Sequence, residues 1–183
     1  MTNDRIEQLH EFDETAFRKL VDDYRNMVFR TCFGIVRNAD DADDLAQEVF
    51  IEVFNSIATF RADSKVSTWL YRIAINKSLN FIRSQKRKRF FQSIGLTSTP
   101  DVPEQTNSSD LIENDQRKQI LDAAIQALPE NQRTAFVLHK IEDLSYKEIA
   151  EIMNLSLSSV ESLLFRAKQN LQKRLLKCYQ QSC

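Results

Sequence analysis

The 183-residue chain is 42% apolar with two glycines and three prolines, long enough for one domain or two small ones with real cores, and it reads as a largely helical protein. Its formal net charge of −1 runs against the basic balance usual in nucleic-acid binders, but the average conceals segregation. No apolar run approaches the roughly 20 residues a membrane span needs, the opening MTNDRIEQLHEFDE lacks the apolar core of a secretory signal, and three cysteines without a second ligand cluster make neither a disulfide scaffold nor a metal site.

Direct membrane insertion is thereby excluded on the sequence, and a cytoplasmic location is the expectation. Between Asp40 and Glu52 stand six acids and no base, from Arg83 to Arg89 five bases and no acid, and from Phe90 to Gln116 five acids and no base. A protein that meets nucleic acid on one surface and a basic protein on another has this distribution, although any single run also suits a solvated face.

In chain order, Phe12, Phe17, Leu20, Val21, Tyr24, Val28, Cys32 and Ile35 recur at helical spacing and predict helix over about residues 12 to 36, in one piece or two. RNADD then reads as a turn and a fresh helix start, with Asn38 or Asp40 as cap and acids favourably placed in the first turn. Ala42, Leu45, Ala46, Val49, Phe50, Val53 and Phe54 form a broad apolar face, with Asp41, Asp44, Gln47, Glu48 and Glu52 mostly opposite. After the polar interval ATFRADSKVS, helical periodicity resumes with Trp69, Leu70, Ile73, Ala74, Leu79 and Ile82 and runs to the basic cluster. Residues 12 to 89 thus make one helical domain.

From about Gln92 to Asn114, Ser, Thr, Pro, Asn and acids dominate, with Pro100 and Pro103 closely spaced; this predicts a flexible, negatively charged linker. Periodicity returns with Ile120, Leu121, Ala124, Ile125 and Leu128 and breaks at Pro129. Three helices are expected beyond it, around Gln132 to Lys140, Tyr146 to Met153 and Leu157 to Tyr179. Ser145 and Glu148 form a capping box for the second. Ser156 or Ser158 caps the third, and the short NLS turn between them fits a helix-turn-helix. Ile149, Met153, Leu155, Val160 and Leu163 supply the apolar spacing that locks the two helices, and Ala150 sits where a larger side chain would part them.

Such a motif places the start of its second helix in the major groove. With Val160, Leu163, Leu164, Ala167 and Leu171 as the packing stripe, Ser158, Ser159, Glu161, Ser162 and Phe165 are left for the groove, and Arg166 and Lys168 for groove or backbone. Serine bonds several bases, and glutamate accepts from the amino group of cytosine. A second candidate surface combines Phe60, Arg61, Ser64 and Lys65 with Trp69, Tyr71, Arg72, Asn76, Lys77, Asn80, Arg83 and the basic cluster. Aromatics among bases and amides suit single-stranded nucleic acid, whereas Trp69 and Tyr71 in a core and QKRKR as a solubilising helix end are the plainer account; the sequence leaves both open. His10 and His139 lack supporting groups at useful spacing, and there is no phosphate loop or zinc motif. Neither catalytic residue, metal nor cofactor is expected.

Together these stretches resemble bacterial sigma factors of the sigma-70 family, specifically the compact extracytoplasmic-function group. DADDLAQEVFIEVF is similar to the segment of region two that binds the clamp helices of the polymerase largest subunit, and TFRADSKVSTWLYRIAINKSLNFIRSQKR to the part that melts and reads the minus-10 element. LPENQRTAFVLHKIEDLSYKEIAEIMNLSLSSVESLLFRAKQNL resembles region four, which reads the minus-35 element. The resemblance implies an all-α fold of two small helical domains joined by a flexible linker: residues 1–91 as a region-two domain, 92–116 as the acidic linker, and 117–183 as a region-four helix-turn-helix domain.

By the same resemblance, Asp44, Gln47 and Glu48 contact core RNA polymerase, which the acidic patch permits physically. Phe60, Arg61 and Ser64, beside Lys65 and Trp69, lie in and next to the loop that holds a flipped non-template base. Asn76 and Asn80, with Arg72 and Arg83, lie on the helix face that approaches the minus-10 strand, and Lys86, Arg87 and Lys88 hold the adjacent backbone. Ser158, Ser159, Glu161, Ser162, Phe165, Arg166 and Lys168 meet the minus-35 duplex. The implied partners are core RNA polymerase, promoter DNA and an anti-sigma factor, often membrane-bound in the family. Glu161, Leu163 and Phe165 depart from the commoner, more basic recognition helix, which puts the preferred minus-35 sequence in doubt. A regulator using only the C-terminal motif on an operator, without serving as a polymerase subunit, is the alternative; it leaves residues 12 to 89 unexplained.

Overall fold

A computed structural model describes residues 14–57, 64–93 and 112–181. Seven α-helices are seen among them: α1 (Glu14–Val36), α2 (Ala39–Ser56), α3 (Val66–Ser93), α4 (Ile112–Gln126), α5 (Glu130–Lys140), α6 (Tyr146–Met153) and α7 (Leu157–Gln181). The fold is all-α, with α1–α3 as one helical cluster and α4–α7 as another. Most of the segment expected as a flexible linker, like Phe60, Arg61 and the extreme N-terminus, lies outside the described residues.

The first cluster follows from its apolar spacing. Leu20, Val28, Cys32 and Ile35 of α1 are buried, as are Ala42, Leu45, Ala46, Val49 and Val53 of α2 and Val66, Leu70, Tyr71, Ala74, Ile75 and Leu79 of α3. α1 is a single helix, not two pieces. It ends where Arg37 turns left-handed at φ 59° and its N–H donates to the Phe33 carbonyl at 2.9 Å, an uncommon conformation for a residue with a Cβ. Asn38 then caps α2, its Oδ1 accepting from the Asp41 N–H at 2.9 Å. Asp40 and Asp41 follow in the first turn, against the positive end of the helix dipole.

In the second cluster the helix-turn-helix forms as its caps dictate. The Ser145 hydroxyl accepts from the Glu148 N–H at 3.3 Å while the Glu148 carboxylate accepts from the Ser145 N–H at 2.9 Å, the reciprocal capping box. α6 stops at Asn154, left-handed at φ 53°, and the Leu155 N–H closes back on the Ala150 carbonyl at 2.9 Å. Of the two serines considered as caps for α7, Ser156 takes the role, accepting from the Ser159 N–H at 3.2 Å. The locking residues differ from expectation in one respect. Ile149 and Val160 are fully buried and Met153 and Leu163 half-buried, but Leu155 is exposed and Ile152 fills the core. The left-handed Asn154 ends α6 where expected, and Leu155, the next residue, faces outward while its N–H closes the helix.

The two clusters share a core. Ala135, Val137 and Leu138 of α5, Ile149 and Ile152 of α6, and Val160 and Leu164 of α7 are continuous with the apolar interior of α1–α3. A smaller satellite core joins Ala124, Ile125 and Leu128 to Ala167 and Leu171. Arg133, 1% exposed, sits at the junction and donates to the Leu128 carbonyl at 3.1 Å, the Gln126 carbonyl and the Ile35 carbonyl. Burial depresses its pKa, since removing a guanidinium from water disfavours its charged form.

Candidate nucleic-acid interface

Three surfaces carry the predicted residues. On α2, Asp44, Gln47 and Glu48 are all exposed, opposite the buried Ala42, Leu45 and Val49. Lys77 of α3 stands 3.8 Å from Glu48 and 3.6 Å from Glu52, so the acidic face is partly neutralised from one side. Asp41 has its carboxyl pKa raised by partial burial and by the neighbouring Asp44 and Asp40 charges.

Two apolar side chains on this face were not legible as part of it. Ile51 is 61% exposed and Phe54, expected on the apolar face, is 44% exposed. Phe54 lies at the end of the helix, where it packs edge-on against Phe17 at 5.2 Å with one flank open. The available signal was spacing: residue 51 follows 44, 47 and 48 at seven, four and three residues, one helical stripe. The resulting surface is acidic with an apolar margin.

On α3 the predicted residues share one side of the helix: Asn76 and Asn80 are exposed, while Arg72 and Arg83 are bonded within the chain. Ser64 is half-buried and Lys65 exposed just ahead of the helix, and Trp69 is half-buried against the core. Tyr71 belongs to the core: its hydroxyl donates to the Glu142 carboxylate at 3.0 Å, and burial is the first cause of its raised pKa. Arg72 donates to the Ile152 carbonyl from Nε at 3.1 Å and to the Glu151 carbonyl from Nη2 at 2.7 Å. Arg83 donates to Asn80 at 3.2 Å and grips Glu130 at 2.6 Å. That bond raises the Arg83 pKa and lowers that of Glu130. Asn76, Arg72 and Arg83 line a cleft of about 610 Å³ whose far wall is Asn131, Thr134 and Met153. Beyond it, Lys86, Arg87 and Lys88 are exposed on the last turns of α3.

On α7 the seven predicted residues divide between two neighbouring flanks. Ser158, Ser159, Ser162 and Arg166 line a shallow groove of about 400 Å³ with Asn131 and Leu155. Glu161, Phe165 and Lys168 face a second groove instead, shared with Phe136, Tyr146 and Leu171. Phe165 is 63% exposed. The serine flank presents hydroxyls and one guanidinium, the chemistry for phosphates and base edges. Among the described residues no group of side chains is arranged to hold a metal ion, and no helix is long and apolar enough to cross a membrane.

Residues 20–88 match Sigma-70 region 2 and residues 118–171 match Sigma-70, region 4. The chain is 33% identical over 181 residues to the ECF RNA polymerase sigma factor SigW of Bacillus subtilis, covering 96% of this chain and 97% of that protein. Among solved structures, CnrH in complex with the cytosolic domain of CnrY has a TM-score of 0.69 at 21% identity, covering 95% of this chain and 96% of that one, and supports the fold. The sigma factor RpoE in complex with the anti-sigma factor NepR from Bartonella quintana has a TM-score of 0.61 at 25% identity, covering 87% of this chain and 96% of that one.

Proposed function

Since the chain belongs to the sigma-70 family of RNA polymerase sigma factors, in its extracytoplasmic-function subgroup, we propose that it is an alternative sigma factor: it binds core RNA polymerase, directs it to promoters and opens the DNA for initiation. One observation carries this reading. The similarity to a full-length relative runs through both clusters in order, and the first cluster bears an exposed acidic surface that an operator-binding regulator has no use for. The partners are core polymerase, promoter DNA and an anti-sigma factor, and the chain acts as a non-catalytic subunit.

Residues 1–91 form the region-two unit, 92–116 the linker and 117–183 the region-four unit in this reading. Asp44, Gln47 and Glu48 dock on a basic polymerase surface. Their exposure supports the assignment, and so does the apolar margin of Ile51 and Phe54. Phe60, Arg61, Ser64, Lys65 and Trp69 hold an extruded base beside α3. Arg72, Asn76, Asn80 and Arg83 face the minus-10 strand, and Lys86, Arg87 and Lys88 its backbone. Capture of an unstacked base offsets part of the few kcal/mol of unstacking, so opening needs neither ATP nor a catalytic side chain. The serine flank of α7 with Arg166 meets the minus-35 duplex, flanked by Glu161, Phe165 and Lys168.

Run-off transcription with core polymerase and a pool of candidate promoters tests the proposal. Transcripts that depend on this protein are expected, and the enriched templates give its specificity. Duplex binding by the protein alone, with no polymerase-dependent transcript, would sink it in favour of an operator-binding regulator.

A further inference from the structure

The last two turns of α3 carry two aromatic side chains with no part in either core. Every residue from Lys86 to Ser93 is exposed, and Phe90 and Phe91 among them are 62% and 47% exposed. A single exposed apolar residue is ordinary. Here two phenylalanines stand side by side directly behind four consecutive cations, Lys86, Arg87, Lys88 and Arg89, in a stretch with no acid between Asp63 and Asp101. A helix draws most of its stability from burying an apolar face, yet this end turns its rings to solvent.

Their position along the helix is specific. Phe90 follows Arg72 by 18 residues, Asn76 by 14 and Arg83 by 7, while Phe91 follows Asn80 by 11 and Arg87 by 4. All of these intervals return to nearly the same side of an α-helix, so the rings close the stripe on which the two asparagines and three arginines lie. Their centroids are 6.0 Å apart with the planes at 70°, edge to face, which leaves at least one face of each ring uncovered by the other.

We propose that Phe90 and Phe91 form a stacking platform for unpaired bases of the opened DNA strand, beyond the point where Lys86, Arg87 and Lys88 hold its backbone. The inference rests on the minus-10 reading of α3 given above. An unpaired base offers a π face that an aromatic ring covers with little regard to sequence, while neighbouring cations meet the phosphates. In a duplex those faces are already stacked on one another, so the platform acts on single strands alone. An anionic lipid surface would also draw a basic and aromatic helix end. It has no use for the exposed amides of Asn76 and Asn80 on the same stripe, which suit base edges.

The test uses the full chain carrying Phe90→Ala and Phe91→Ala together, which keeps every charge and places a good helix former at both positions; circular dichroism checks the fold. Binding of a short fluorescein-labelled, mixed-sequence single-stranded DNA, and of the same sequence as a duplex, is followed by anisotropy at several salt concentrations. The alanine pair should bind the single strand about tenfold more weakly and the duplex as the parent does. Its slope of log affinity against log salt should be unchanged, because no phosphate contact is lost. Tyrosine at both positions should restore single-strand binding, and leucine at both should not. If the alanine pair loses helix, the comparison of the tyrosine and leucine pairs decides. Restoration by leucine, an equal loss on duplex, or no loss at all would overturn the stacking. Sedimentation with phosphatidylglycerol vesicles that depends on the rings, beside unaltered single-strand binding, would assign them to a lipid surface instead. Run-off transcription separates the premises. A parent that yields no polymerase-dependent transcript fails the initiation reading itself, whereas a transcribing parent whose single-strand binding ignores both rings fails the stacking alone.

Discussion

The carboxylate of Glu142, in the turn between α5 and α6, is completely enclosed and accepts a hydrogen bond from the phenol of Tyr71 on α3, 71 residues earlier in the chain. It is the one buried acid among the described residues. Its other partner, Arg30, is half in solvent. Glu142→Ala removes the acceptor from a buried hydroxyl and should lower stability by about 1–3 kcal/mol. Glu142→Gln keeps an acceptor for Tyr71 and should cost less. Urea denaturation of both variants checks the order; equal losses would show that the charge, not the hydrogen bond to Tyr71, is what matters.

On α2, the charges of Asp44 and Glu48 are solvent-exposed, so reversing them should hardly disturb the fold, within about 0.5 kcal/mol. The double variant Asp44→Lys and Glu48→Lys should abolish binding to core polymerase, measured by co-elution or by fluorescence of labelled protein. Phe54→Ala should weaken it by a smaller factor through the apolar margin. Unchanged binding by the double lysine variant removes the polymerase assignment from this face.

Arg166 is exposed beside the serine flank of α7. If it neutralises one phosphate of the minus-35 duplex, Arg166→Ala should reduce the slope of log affinity against log salt by about 0.9. Titrations of the holoenzyme on a duplex carrying an enriched promoter, at several salt concentrations, measure the slope. A change in base preference at unchanged slope would instead make Arg166 a base reader.

Acid should loosen the second cluster through two named carboxylates. Arg83 holds the Glu130 carboxyl below the ordinary glutamate range, and the Ser145 hydroxyl and N–H do the same for Glu148. A carboxylate whose pKa is depressed by folding adds stability above its unfolded value, about 4.3, and loses it as pH falls through the lower folded value. Urea midpoints should therefore hold steady with respect to these groups from neutrality to about pH 5 and fall below about pH 4. Ser145→Ala should lower stability at neutral pH by about 1 kcal/mol as a lost cap and flatten part of the acid decline. A decline as steep as the parent's in that variant would exclude the contact of the Ser145 hydroxyl with Glu148 as a contributor.

Local signals made much of the fold legible. The caps at Asn38, Ser145 and Ser156, the break at Pro129 and the apolar stripe of α7 each act over a few residues, and each appears where spacing and side-chain chemistry place it. The relation between the clusters was not legible. Arg72 and Arg83 look alike as solvent-facing cations in sequence, and nothing local says that residues some 80 and 47 positions away will claim them. Leu155 and Phe54 were misread because period alone ignores what ends a helix: a left-handed turn in one case, a terminal position in the other. Tyr71 shows the converse, an aromatic equally suited to a base or a core until Glu142 is seen to enclose its hydroxyl.

Gly34, one of two glycines in the chain, stands in the last turn of α1, where glycine still disfavours helix relative to alanine. In return it permits the close approach of Val137 from α5. An alanine there would favour the helix itself but put its Cβ 2.6 Å from Val137 Cγ1, so α5 would have to give way. The position thus sets how near α5 can come to α1, a spacing fixed by the absence of a single methyl group.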